Sequence, residues 1–141
     1  GGKYIPQFKR ILIKTEALTM GKFVVKKTAT GVKFDLKATN GQVIATSEVY
    51  TSDAACMKGI ESVKTNSVAG VEDQTVEGYE VIKNPKYEIY KDKAGEFRFR
   101  LKAKNGQIIA TSEGYKTMDS CKNGVESVKK NAPDAPVEKA E

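Results

Sequence analysis

The stretch Asn40-Gly41-Gln42-Val43-Ile44-Ala45-Thr46-Ser47-Glu48-Val49-Tyr50 returns 65 residues later as Asn105-Gly106-Gln107-Ile108-Ile109-Ala110-Thr111-Ser112-Glu113-Gly114-Tyr115. Between Phe34 and Asn66, 20 of 33 positions are identical to their counterparts at that spacing, so the chain is a duplicated supersecondary unit. A unit of about 50–60 residues buries too little surface to be stable by itself. Two units sharing one core escape that limit. The expected organisation is a leader over residues 1–19, a first repeat over 20–78 and a second over 79–141, with 20–141 folding as one domain.

Each unit reads as strands followed by a helix. Phe23 to Lys27 is β-branched and aromatic-rich, Thr28 to Gly31 is a turn with glycine at a position needing positive φ, and Val32 to Ala38 alternates strictly. Asn40-Gly41 then predicts a type I′ hairpin turn, with both residues at φ > 0, ahead of a third strand over Gln42 to Thr46. Ser52 is a good helix cap, and Cys56, Gly59, Ile60 and Val63 follow at i, i+3, i+4 and i+7 as one apolar stripe. Gly59 recurs as Gly124, which points to close approach of the helix backbone to the sheet. Asn66 is expected to end the helix in the left-handed region. Val71-Glu72-Asp73 is a short fourth strand. The second unit repeats this order through Tyr87–Lys91, the inward residues Phe97, Phe99, Leu101 and Ala103, the hairpin Asn105-Gly106, and a helix capped by Thr117 that carries Cys121, Gly124, Val125 and Val128. Pro136-Val137-Glu138 sits where Val71-Glu72 sat, and the polar tail after Pro133 is expected to fray.

Leu101-Lys102-Ala103, Asn105-Gly106-Gln107, Ser112-Glu113-Gly114-Tyr115 and Asn123-Gly124-Val125-Glu126-Ser127-Val128-Lys129-Lys130-Asn131-Ala132 resemble the signature of the YegP-like family, a bacterial tandem-repeat domain of unknown function. The first copy departs mildly, with Lys58 for the asparagine of Asn-Gly and Ser67 for the alanine after Asn66, and the linker is longer than that family's usual join. The resemblance implies an α+β fold. In it, two β3-α-β units form one antiparallel sheet with two helices in pseudo-two-fold arrangement, and their C-terminal strands are exchanged. It brings no activity, cofactor or catalytic residue with it.

Composition narrows the chemistry. There is no histidine, so the usual proton shuttle near neutral pH is missing. Both cysteines fall on helical apolar stripes and read as buried thiols. A Ser-His or Cys-His nucleophile is therefore excluded, and neither a glycine-rich phosphate loop nor a cysteine metal cluster is present. The expectation is a non-catalytic protein with no cofactor and no metal site. Thr46-Ser47-Glu48 and Thr111-Ser112-Glu113 read as loop-binding side chains, and Tyr50 and Tyr115 as packed beneath that loop. No apolar run approaches the roughly 18 residues of a membrane span. Ile11-Leu12-Ile13 is too short for a signal core, which needs about 7–15 apolar residues. A cytoplasmic monomer is expected, and Met20 resembles a translation start, leaving the leader as an upstream extension, a vector remnant or a genuine arm.

The net charge of +6 divides unevenly: +3 in residues 1–19, zero in 20–78, and +3 in 79–141. Part of the last excess lies on one strand. With Phe97, Phe99 and Leu101 inward, Arg98, Arg100, Lys102 and Lys104 point outward in line, and Tyr90 on the neighbouring strand shares that face. Such a face can bind a nucleic-acid backbone and stack a base. It can equally be a solvated strand face with cross-strand pairs to acids such as Glu88. The first copy offers the weaker Lys33, Asp35, Lys37 and Thr39. A protein–protein interaction or structural module is the leading functional expectation, with nucleic-acid binding through Arg98, Arg100, Lys102, Lys104 and Tyr90 as the alternative.

Overall fold

The computed structural model describes residues 21–140; the leader and Met20 lie outside them. The strands are β1 (Lys22–Lys27), β2 (Val32–Lys37), β3 (Val43–Thr46), β4 (Gly70–Asp73), β5 (Lys86–Lys91), β6 (Phe97–Lys102), β7 (Ile108–Thr111) and β8 (Val137–Lys139). The helices are α1 (Asp53–Asn66) and α2 (Met118–Asn131). All eight strands form one sheet in the order β4-β5-β6-β7-β3-β2-β1-β8. The fourth strand of each repeat has left its own unit: β4 lies beside β5, and β8 beside β1.

Both exchanged pairings are parallel, whereas the six central strands pair antiparallel. The sheet is therefore mixed, because each exchanged strand runs the same way as the first strand of the unit that receives it. The tail after Pro133 is held down by this exchange. Ala135 is buried, Phe23 N donates to Pro136 O at 2.9 Å, and Ala140 N donates to Val25 O at 2.8 Å.

The predicted inward residues form the core. Phe23, Phe34, Leu36, Tyr87, Phe99 and Leu101 are fully buried beneath Cys56, Ile60 and Val63 of α1 and Cys121, Val125 and Val128 of α2. α1 packs on β2 and also on β6 and β7; α2 packs on β6 and also on β3. Each helix thus crosses the boundary between repeats, which is how two marginal units share one interior. Burial pushes both thiols up, Cys121 to about 11, so neither is a reactive thiolate at neutral pH.

Local chemistry differs from expectation at the turns. Only Gly41 of the first hairpin has positive φ (84°), as has Gly106 (86°) in the second; no described non-glycine residue does. Gly41 N donates to Ala38 O and Ala38 N to Gln42 O, so the loop is a turn ending in a left-handed glycine rather than type I′. Asn40 instead caps it, its Oδ1 accepting from Gln42 N at 3.0 Å. Gly31 does not have positive φ either; a Cβ there would meet the carbonyl oxygen of Tyr50, to which Val32 donates. Asn66 stays helical and bonds back to Ser62 O, and Ser67 closes α1 in a right-handed conformation.

The mid-helix glycines make room mainly for tyrosines. Tyr50 stacks on Phe34 (centroids 6.2 Å apart) and Tyr115 on Phe99 (6.4 Å). A Cβ on Gly59 would lie 2.7 Å from the Tyr50 ring; one on Gly124 would lie 2.9 Å from both Tyr115 and Phe99. The loop serines act as read from the sequence. Ser47 Oγ accepts from Phe34 N (2.9 Å) and donates to Glu48 O (2.7 Å), and Ser112 makes the same pair of bonds to Phe99 N and Glu113 O (2.8 Å each).

Candidate functional site: the open face of the sheet

Both helices cover one face of the sheet, and strand alternation sends a second set of residues to the other. On β5 these are Lys86, Glu88 and Tyr90; on β6 they are Arg98, Arg100 and Lys102, which oppose Tyr90, Glu88 and Lys86 in register. Four of the five residues singled out from the sequence therefore share this face. Lys104 does not: β6 ends at Lys102 after a register shift, which leaves Lys104 exposed in the following turn.

The cations are not presented bare. Arg100 Nε donates to Glu88 Oε1 at 2.7 Å, while Lys86 and Lys102 both stand 3.3 Å from Glu88 Oε2. Arg98 Nε donates to Asp92 Oδ2 at 2.6 Å and its guanidinium also reaches Ser112 O. Asp92 simultaneously accepts from the backbone of Ala94 and Glu96, so the turn that joins β5 to β6 fixes the carboxylate that fixes Arg98. The Arg100 guanidinium lies 4.5 Å above the Tyr90 ring, a cation–π contact that occupies the aromatic face. Burial pushes the Glu88 carboxyl up, but bonds from Arg100 and Lys86 more than offset it and hold the group below its ordinary value.

Glu72 and Lys86 form a pair that strand patterning does not reveal. Lys86 Nζ donates to Glu72 Oε1 at 2.7 Å, with side-chain exposures of only 8% and 1%. Burial again raises the Glu72 carboxyl, yet Gln74 Nε2, Lys86 Nζ and the Ile82 amide all donate to it, bringing it down to about 2. The bond to Glu72 holds Lys86 charged beyond its usual range. Only the exchange of β4 brings these residues together. Their counterparts Lys22 and Glu138 also pair, at 2.6 Å, and that recurrence was the signal available in the sequence.

The first repeat inverts the pattern. Asp35, the counterpart of Arg100, pairs with Lys26 at 2.7 Å, accepts from Thr46 Oγ1 at 2.7 Å and has Lys33 at 3.9 Å. Burial raises this carboxyl, and the bonds from Lys26 and Thr46 outweigh that, so it too lies below its ordinary value. Between the halves, the sheet is closed by the single pair Thr46↔Thr111. A cleft of about 230 Å³ opens there, lined by Lys26, Lys33, Asp35, Thr46, Thr111 and Glu113. It is half-open and of mixed charge, with Val43 and Ala45 adding apolar wall. Among the described residues no three potential ligands gather for a metal, and no helix is long and apolar enough to cross a membrane.

Known proteins resemble the chain along most of its length. A domain of unknown function, DUF1508, matches twice, over residues 28–73 and 92–138. The UPF0339 protein YegP of Yersinia pestis is 42% identical over 115 residues, which is 81% of this chain and 90% of that protein. A UPF0339 protein of Treponema denticola is 62% identical over 52 residues, only 37% of this chain but 90% of that protein, so the relative amounts to one unit. The solution NMR structure of Escherichia coli yegP, a protein of unknown function, superposes with a TM-score of 0.70 at 38% identity, covering 86% of this chain and 93% of that one. With two matched units, this chain belongs to the DUF1508 family as a tandem repeat.

Proposed function

We propose that the protein is a non-catalytic interaction module that docks a protein partner on the open face of its sheet. The observation that carries this reading is that the cations of the face are held in ion pairs. Glu88 is shared by Lys86, Arg100 and Lys102, Asp92 holds Arg98, and Asp35 holds Lys26. The cations outnumber the carboxylates, but each is fixed against one, so the surface has positioned, paired charges rather than bare ones. It suits a partner with its own complementary charges better than a polyphosphate, which gains most from unpaired cations and counterion release. Exposed Ile108 and half-buried Val43 flank the central seam and add apolar contact where the two halves meet.

Nucleic-acid binding is the second reading, favoured by the Arg100–Tyr90 platform beside Arg98 and Lys102. It requires phosphates to displace Asp92 and Glu88.

One pair of measurements decides between them. A photo-crosslinking residue at position 43 or 108, compared with one at Lys58 on the exposed side of α1, is expected to give a discrete protein adduct from the open face alone. That adduct should disappear when Arg98 and Lys102 are reversed to glutamate. Fluorescence anisotropy with labelled single-stranded and duplex DNA and RNA runs alongside. Binding that persists at physiological salt and is lost in Arg98→Ala/Arg100→Ala would replace the protein-docking reading with the nucleic-acid one.

A further inference from the structure

The linker between the repeats bears on a partner that the open face does not involve. β4 ends at Asp73 and β5 begins at Lys86, so residues 74–85, twelve in all, make the whole connection between two parallel neighbours. A parallel pair needs a crossover of about a dozen residues or more, because the chain must return along the strand before it re-enters the sheet. This linker is thus at the lower limit of what intramolecular closure allows. Gln74 Nε2 and the Ile82 amide both donate to Glu72, 2.7 and 2.9 Å away, and Gln74 N donates to Ile89 O at 2.8 Å.

Closure is what makes the exchange intramolecular, since neither repeat completes its sheet or its core without the other. β1 needs β8, β5 needs β4, Tyr87 Oη of the second repeat donates to Ser67 O of the first (2.7 Å), and Gly21 N donates to Asn131 Oδ1 (3.1 Å). None of these contacts requires that the two repeats belong to one chain. The closed form also leaves apolar surface in an unusual place. Of the eight exposed large hydrophobic residues among the described residues, five (Val68, Val71, Val76, Tyr79 and Val81) lie in β4 and its flanks or in the linker.

We propose that the chain pairs with a second copy of itself by exchanging halves, the first repeat of each copy completing the second repeat of the other. The linker is the switch: wrapped over Glu72 it gives a monomer, and extended it gives an exchanged dimer. This inference is independent of what docks on the open face, and its failure leaves that reading untouched. A one-unit relative is consistent with the same principle, because a lone unit has no tethered partner from which to take a fourth strand.

The test is deletion of residues 76–81, which leaves six linker residues, too few for the crossover. The variant also carries Val24→Cys and Glu138→Cys, neighbours in the β1–β8 register. After oxidation the native-length chain with this cysteine pair should give an internally bridged monomer and an inter-chain dimer whose share rises with protein concentration, and a native-length chain bridged only internally at every concentration overturns the proposal. The shortened chain should run as a folded species of doubled mass by light scattering, covalently linked on a non-reducing gel. The inter-chain disulfide distinguishes strand exchange from association through a face. A shortened chain that stays a folded, internally bridged monomer overturns the proposal. So does one that fails to fold, since halves completed in trans do not need a long linker.

Discussion

The two repeats have the same backbone plan and opposite surfaces. Phe34 and Phe99, Leu36 and Leu101, Cys56 and Cys121, and Val63 and Val128 occupy matching buried positions. On the open face, Asp35 between lysines becomes Arg100 beside Glu88. The same Glu–Lys pair at the exchanged strand is nearly solvent-free in one half (Glu72–Lys86) and roughly half exposed in the other (57% and 43% for Glu138 and Lys22). The residues are of the same types and the pairing distances nearly equal. The environment differs because the linker folds over Glu72, as the bonds from Gln74 and Ile82 record. What the repeat holds in common is its interior, where volume and polarity are tightly constrained; the solvent side is free to diverge.

Truncating the core should show the symmetry. Phe34→Ala and Phe99→Ala are each expected to cost about 3–5 kcal/mol, read as a lower urea midpoint, with the two losses alike because both rings are fully buried at equivalent positions. Two separate unfolding transitions in either variant would mean that the halves do not share one cooperative interior.

Charge should break the symmetry. Glu72→Gln leaves the buried Lys86 with a single carboxylate partner and is expected to cost about 3 kcal/mol, whereas Glu138→Gln in an exposed pair should cost less than about 1 kcal/mol. The pH dependence follows. The Glu72 carboxyl lies at about 2 in the fold against an ordinary 4.5, so the stability it contributes is fully present above 4.5 and is lost as pH falls from there towards 2. Urea midpoints collected between pH 6 and pH 2.5 should fall less steeply for Glu72→Gln than for the parent. Equal slopes would refute the linker's role in shielding this pair.

The helix glycines sharpen the contrast at a smaller scale. Gly59→Ala and Gly124→Ala should each cost about 1–3 kcal/mol through overpacking, despite alanine's better helix propensity. Adding Tyr50→Ala should recover most of the loss at Gly59, where Tyr50 supplies the three nearest atoms. Adding Tyr115→Ala should recover less at Gly124, because Phe99 remains 2.9 Å from the new Cβ. A thermal-melt double-mutant cycle measures both couplings. At the helix starts, Ser52→Ala and Thr117→Ala should each cost about 1 kcal/mol, since Ser52 Oγ and Thr117 Oγ1 each accept one amide at 3.1 Å.

The sequence by itself determined the elements, because period-2 alternation in Val32–Lys37 and the i, i+3, i+4, i+7 stripe of Cys56, Gly59, Ile60 and Val63 are local consequences of which face must be dry. The duplication set the number of units, and the loop serines and helix caps were legible because their partners lie within a few residues or on the adjoining strand. Turn geometry was less so: Asn-Gly is compatible with more than one loop, and the bond from Gln42 N to Asn40 selected the one in which asparagine keeps negative φ. The parallel placement of β4 and β8, the burial of Glu72 with Lys86, and the conversion of a basic stripe into an ion-paired lattice around Glu88 and Asp92 were decided only in three dimensions. A charge's meaning depends on what lies across the strand and what covers it from solvent, and both are set by contacts between residues far apart in the chain.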